Sequence, residues 1–282
     1  MSAWINFNGQ IVADSQKLFG AENRAFRYGD GFFETIRCYR GRPLWMPQHI
    51  QRIENSARLL KMTLPDKFGE DYITRIITDL LTHNRHMQGA RVRLAFYRND
   101  VGFYRPQTHD TSFLVESSAL ENENYVLNDK GLFVGVYTEN LKGVNLLSSL
   151  KTSSALLYVM AAQHARDKKW DDAFILNDRA CLAEATSSNI FLVEDKKIYT
   201  PAIDQGCVEG VMRNVVMPLA VKEGYKLNEC ELKPEDLLQV DEVFITNTIS
   251  GIQWVKGFAS KRYYHDVANK LLKQLNSLFV EK

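Results

Sequence analysis

Apolar residues recur at helical spacing in four stretches of the chain. In PQHIQRIENSARLLKM, Ile50, Ile53, Ala57 and Leu60 lie three or four residues apart, behind a Pro47 that suits a first helical position. EDYITRIITDLLTHNRHM repeats the pattern with Ile73, Ile76, Ile77, Leu80 and Leu81. EGVMRNVVMPLAVKEG and VANKLLKQLNSLF also read as helices, and Pro218 is predicted to kink the former or shift its start. Shorter stretches have strand composition. In the first part these are WINFNGQIV, FFETIRCYRGRPLWM with a turn at Gly41 and Pro43, ARVRLAFYRN and TSFLVES. In the second they are GLFVGVYTEN, AFILNDRACLAEATSSNIFLVEDKKIYTPA with polar turns at NDR and EDKK, and DEVFITNTISGIQWV. Polar SSALENENYVLNDK parts the two sets. The pattern predicts an α+β chain: a small N-terminal domain over 1–118, a linker over 119–130 and a larger domain over 131–282.

Composition narrows the partner. The 282 residues carry 35 basic and 34 acidic side chains, so no broad field favours nucleic acid or an anionic membrane, and a small molecule is the expected partner. No apolar run reaches the ~20 residues that span a bilayer, and the start lacks the pattern of a signal peptide. Cys38, Cys181, Cys207 and Cys230 lie far apart, without the spacing of a disulfide framework, redox motif or zinc site, which fits a cytoplasmic setting. His83 and His86 are the one close histidine pair, so no metal site is expected.

From Gly143 through Ala165 the one side chain with a formal charge is Lys151. Apolar surroundings disfavour an ammonium, and a neutral amine is a nucleophile that a carbonyl compound can capture. The alternative is a side chain that reaches past its neighbours to water. Glu184 lies among apolar and small residues in CLAEATSSNIFLV; it either faces solvent or is buried and needs a partner such as a pyridinium nitrogen. In CVEGVMR a glycine precedes a helical run, so the N–H groups of Val211 and Met212 are candidates for binding phosphate, or the glycine simply makes a turn. The Thr246-Asn247-Thr248 triplet after an apolar strand offers further donors. An aldehyde, a pyridine nitrogen and a phosphate together describe pyridoxal 5′-phosphate.

The chain resembles the class IV aminotransferase family, the fold type IV group of pyridoxal phosphate enzymes. The resemblance rests on RYGDGFFETIR, HIQRIENSARLL, LKTSSALLYVMAAQHA, LAEATSSNIFLV, YTPAIDQGCVEGVMR and DEVFITNTISGI, in that order. It implies a small α/β sandwich domain and a larger strand-rich pseudo-barrel domain with helices. It implies that Lys151 holds the cofactor and moves the proton, that Glu184 pairs with the ring nitrogen, and that Arg52 binds the phosphate with the Val211 and Met212 amides, Thr248 and Asn247. Met212 stands where many transaminases of the family have threonine. A homodimer is implied, acting on a small-molecule amine, with the RYGDGFF segment near the partner's pocket; Arg27 and Phe33 are the candidate substrate residues. The family divides among branched-chain aminotransferases, D-amino acid aminotransferases and aminodeoxychorismate lyases. HIQRIENSARLL, TPAIDQGCVEGVMR and the asparagine of ITNT are more similar to the lyases, with a transaminase as the alternative and a non-catalytic cofactor-binding protein as a remote one.

Overall fold

A computed structural model of the chain describes residues 3–280. It divides into two compact units. The first comprises the chain up to Asn124 together with Leu150–Ser154, and the second comprises Tyr125–Ser149 and the chain from Ala155 onward.

The first unit opens with a hairpin of β1 (Trp4–Phe7) and β2 (Gln10–Ala13), joined by Asn8 and Gly9 at φ of 50° and 89°, the two-residue turn that asparagine-glycine favours. A short helix α1 (Arg24–Tyr28) leads into β3 (Gly31–Tyr39) and β4 (Arg42–Pro43); helices α2 (Met46–Leu59) and α3 (Glu70–Asn84) follow, then β5 (Gly89–Arg98) and β6 (Thr111–Leu120). The strands form an antiparallel sheet in the order β2-β1-β6-β5-β3-β4. One face carries Ile36, Val92, Leu94, Phe96 and Val115, and the apolar stripes of α2 and α3 cover it with Ile53, Ile73, Ile77 and Leu80. That is the burial the helical spacing predicts.

The predicted first-domain end at 118 falls short of the end of β6 at Leu120, and the division comes at Asn124, inside the predicted linker. Arg37 of β3 holds this stretch, donating through Nη2 to the carbonyls of Glu123 at 3.0 Å and Asn124 at 2.7 Å. The pentapeptide Leu150–Ser154 is an addition that no contiguous domain assignment anticipates. Phe33 N–H donates to Lys151 O at 3.0 Å and Ser153 N–H to Gly31 O at 2.9 Å, so the segment lies as a short strap along the free edge at the start of β3.

The second unit is a curled nine-stranded sheet with helices. Its elements in chain order are β7 (Leu132–Lys142), α4 (Leu156–Asp167), β8 (Asp172–Asn177), β9 (Leu182–Ala185), β10 (Asn189–Glu194), β11 (Lys197–Pro201), α5 (Val211–Lys222), β12 (Lys226–Cys230), β13 (Glu242–Asn247), β14 (Gly251–Phe258), β15 (Lys261–Arg262) and α6 (Asp266–Val280). The strand order is β12-β11-β10-β13-β14-β7-β8-β9, with β15 paired to β14. The β7–β8 and β11–β12 pairs are parallel, and α4 and α5 are their crossovers. The sheet curls until β9 comes back beside β10 and β11. Helix α5 runs unbroken through Pro218: Asn214, whose carbonyl proline cannot satisfy, and Pro218 itself both face water, where solvent serves the orphaned group.

Among the described residues no helix is long and apolar enough to cross a membrane. No group of three or more histidine, cysteine or acidic residues there could hold a metal ion. His83 Nδ1 lies 2.8 Å from Asp79 O and His86 Nδ1 lies 3.1 Å from Ser117 Oγ.

Candidate active site

Lys151 precedes α4 and does not lie within it. It is half-buried, and the apolar side chains of its own run do little to enclose it: Leu156, Val159 and Met160 are exposed. What surrounds the amine comes from β3. Lys151 Nζ stands 4.5 Å from the centroid of the Phe33 ring, and the Arg93 guanidinium stands 4.6 Å from the same centroid. Phe33 thus meets two cations, which the negative face of an aromatic ring attracts.

Phe32, Glu34, Ile36 and Cys38 share strand parity on β3, and Glu34 is the one charged side chain in that buried row. Arg52 on α2 answers it, with Nε donating to Oε1 at 2.7 Å and Nη2 to Oε2 at 2.6 Å. His49, one turn earlier, reaches Oε2 through Nδ1 at 2.7 Å. Burial favours a neutral Glu34, but Arg52 and His49 outweigh it and hold the carboxyl down at about 2. Burial pushes the His49 imidazole below its ordinary value against the pull of Glu34. The buried Nε2 of His49 has no partner among the described residues. The guanidinium expected to meet a phosphate is held in one orientation by this fork.

In the second unit Glu184 lies on β9 and is buried, 3% exposed. Its Oε1 accepts from Tyr158 Oη at 2.7 Å and from Lys142 Nζ at close range, and its Oε2 accepts from Val208 N–H at 2.9 Å. Burial first, and then the neighbouring carboxylate, push the Tyr158 hydroxyl well above its ordinary value, so it stays a donor. Burial, again ahead of Glu184, pushes the Cys207 thiol up to about 12, far from the range of a nucleophilic thiolate.

A run of contacts leads from Glu184 to the expected phosphate donors. Asn189 Nδ2 donates to Val208 O at 2.9 Å, and a Cβ at Gly210 would stand 1.9 Å from Asn189 Oδ1. Gly210 is the N-cap of α5, and no side chain caps that helix. Val211 and Met212 are buried in its first turn, with the helix dipole directed toward an anion. Asn189 also pairs with Thr246 in the sheet, and Asn247 Nδ2 donates to Ser188 Oγ at 2.9 Å. Asn247 Oδ1 accepts from Ile249 N at 3.0 Å and Ser250 N at 2.8 Å, so this side chain shapes the turn that carries the buried Thr248.

The first unit therefore brings Lys151 to Phe33 and Arg93 and sets Arg52 on Glu34 and His49, while the second unit groups Glu184, Val211, Met212, Asn247 and Thr248. Arg27 is exposed, with Nε on the carbonyl of Ala21 at 3.0 Å, and it joins none of these groups. Glu34, His49, Lys142, Tyr158 and Asn189 join these groups without a role expected from the sequence. Glu34 had a visible signal, a charge on the apolar parity of a strand; Lys142 lies one residue outside the uncharged run around Lys151.

The donor set fits pyridoxal phosphate. An uncapped helix start suits the phosphate, the lysine amine suits the aldehyde, and Glu184 Oε2, with one donor in place and lone pairs for two, suits a protonated ring nitrogen.

Residues 31–258 match the family model for amino-transferase class IV. The chain is 31% identical over 251 residues to a putative branched-chain-amino-acid aminotransferase of Methanocaldococcus jannaschii, covering 88% of this chain and 85% of the relative. It is 28% identical to an aminodeoxychorismate lyase of Bacillus subtilis, covering 87% and 83%, and 25% identical to a D-alanine aminotransferase of Bacillus licheniformis, covering 87% and 85%. The fold superimposes on branched-chain amino acid aminotransferase from Escherichia coli with a TM-score of 0.89 at 22% identity, covering 100% of this chain and 95% of the other. By sequence and by fold the chain belongs to the class IV aminotransferases, the fold type IV enzymes that use pyridoxal 5′-phosphate.

Proposed function

We propose that this enzyme acts on the primary amine of a carboxylated small molecule and that its reaction is that of an aminodeoxychorismate lyase, converting 4-amino-4-deoxychorismate to p-aminobenzoate and pyruvate for folate synthesis. The observation that supports the substrate class is the shared ring: Lys151 Nζ and the Arg93 guanidinium stand 4.5 and 4.6 Å from the centre of Phe33, so Arg93 would offer a substrate carboxylate a cation on the same aromatic side chain as the reactive amine. On this reading Arg93, whose Nη1 also reaches Glu116 Oε2 at 3.5 Å, is preferred to Arg27 as the carboxylate anchor. Arg98 is buried against Asp30 and the carbonyls of Leu60 and Lys61, and Arg179 donates to Asp204 O at 2.6 Å.

The bound cofactor supplies an aldehyde that captures amines and a ring that takes up the electrons released when a proton leaves the substrate. Lys151 would hold that aldehyde until substrate displaces it, and its freed Nζ then removes the proton from the substrate carbon bearing the amine. Glu184 would accept the ring N–H at Oε2. Arg52, fixed by Glu34, would bind the phosphate with the Val211 and Met212 amides and Thr248. Phe33 would line the approach to the amine, and Arg93 would orient the carboxylate. Loss of the enolpyruvyl group needs no second substrate and no redox partner, and aromatisation of the product drives it.

Lyase relatives in Vibrio harveyi and Bacillus subtilis, 27% and 28% identical, support this reading together with the lyase-like motifs. The 31% identity to a putative branched-chain aminotransferase supports a second, an aminotransferase in which Lys151 would again move the proton and a keto acid would accept the amino group. The test is incubation with enzymatically made aminodeoxychorismate and no keto acid, with Lys151→Ala as control. Multiple turnovers to p-aminobenzoate and pyruvate, absent in the control, are the expected result. No product, with amino acids instead converting the bound cofactor to its amine form, establishes the transaminase. The family's homodimer and a cytoplasmic location belong to the same proposal; free thiols at all four cysteines support a reducing compartment.

A further inference from the structure

A second lysine lies beside Glu184, the carboxylate expected to serve the cofactor's ring nitrogen. Lys142, the last residue of β7, is 7% exposed, and its Nζ makes a close ion pair with Glu184 Oε1, donates to Ser148 O at 2.9 Å and stands 5.4 Å from the centroid of the Tyr158 ring. A buried ion pair brings a desolvation cost that a hydrophobic pair avoids, so its retention beside the carboxylate expected to serve the ring nitrogen needs an account.

The geometry points to Lys142 as a positioning residue that fixes the charge and orientation of Glu184 toward the cofactor ring nitrogen and moderates the protonation of that nitrogen. The inference rests on the pyridoxal phosphate reading of Glu184. Oε1 is turned away by Lys142 and Tyr158, which leaves Oε2, beside Val208 N–H, as the oxygen presented to the ring. With its ammonium in contact, Lys142 cancels much of the carboxylate charge. The ring nitrogen then meets a hydrogen-bond acceptor and a weaker net field than a lone glutamate would give, and it draws electrons less strongly. The bond to Ser148 O adds a second effect, tying the same ammonium to the backbone three residues before Lys151.

The test is NMR of the bound cofactor, isotopically labelled at the ring nitrogen, in wild type, Lys142→Gln, Lys142→Met, Lys142→Arg and Tyr158→Phe at one neutral pH. Removing a unit charge one carboxyl group away is expected to raise the ratio of protonated to unprotonated ring nitrogen by at least about tenfold in Lys142→Gln. Lys142→Met gives the same result if the glutamine variant fails to fold. Lys142→Arg restores the wild-type signal, and Tyr158→Phe, which removes a neutral donor from the same oxygen, leaves it in place. An unchanged ring-nitrogen signal in the uncharged variants, or an arginine variant that behaves like glutamine, overturns the inference and leaves the cofactor reading intact. A wild-type protein that takes up no cofactor overturns both.

Discussion

Arg52 meets Glu34 through a parallel fork of 2.7 and 2.6 Å, with both side chains shielded from solvent. Glu34 titrates from 4.5 when unfolded to about 2 when folded. A lowered carboxyl value stabilises the native state above pH 4.5, and that contribution disappears as the pH falls toward 2. The difference is on the order of 3 kcal/mol. Denaturant titrations across this range should show the loss in wild type; Glu34→Gln should be less stable at neutral pH and lack this acid-dependent component.

Arg93 and Arg27 separate by kinetics. Arg93→Gln removes the guanidinium that shares the Phe33 ring with Lys151, and KM for the carboxylated amine should rise about 10- to 100-fold, the loss of one charge-assisted contact. Arg27→Ala, exposed and bonded to its own loop, should leave kcat and KM near wild type. Equal effects would remove Arg93 from the substrate site.

Gly210→Ala tests the start of α5. Its φ of −71° suits any residue, so the difficulty is space: the new Cβ would sit 1.9 Å from Asn189 Oδ1 and displace the side chain that holds Val208 O. A loss of about 1 to 3 kcal/mol is expected in thermal unfolding, with weakened cofactor affinity measured by absorbance titration.

Asn247→Ala removes the acceptor for two backbone N–H groups in the turn bearing Thr248. Unfolding should show a loss of about 1 to 3 kcal/mol, and cofactor affinity should fall with it. Asn247→Asp keeps the acceptor and should retain the turn; if it behaves like alanine, the turn bonds are not the cause.

Helices α2, α3 and α6 were legible because each is amphipathic over three or more turns, and the strands from β8 to β11 because polar turns separate short apolar runs. Lys151 and Glu184 stood out as charges in apolar company. Of what surrounds them, Phe33 stood out only through its place in a family motif, while Lys142 and Tyr158 did not, because pairing across a fold leaves no periodic trace in one sequence. Arg27 stands beside a family motif, yet adjacency along the chain says little about direction: its guanidinium turns toward Ala21, while Arg93, on the predicted strand ARVRLAFYRN, stands over the Phe33 ring.

The strap of Leu150–Ser154 constrains how the protein can be made and recombined. During synthesis the Gly31–Phe33 edge of the first sheet waits until residue 153 has left the ribosome, long after its other strands have emerged, so the second unit's β7 is already outside before the first unit can close. An exchange of halves between relatives at the linker alone would graft a foreign pentapeptide, lysine included, onto the resident β3. Compatible chimeras must therefore match that edge as well as the junction.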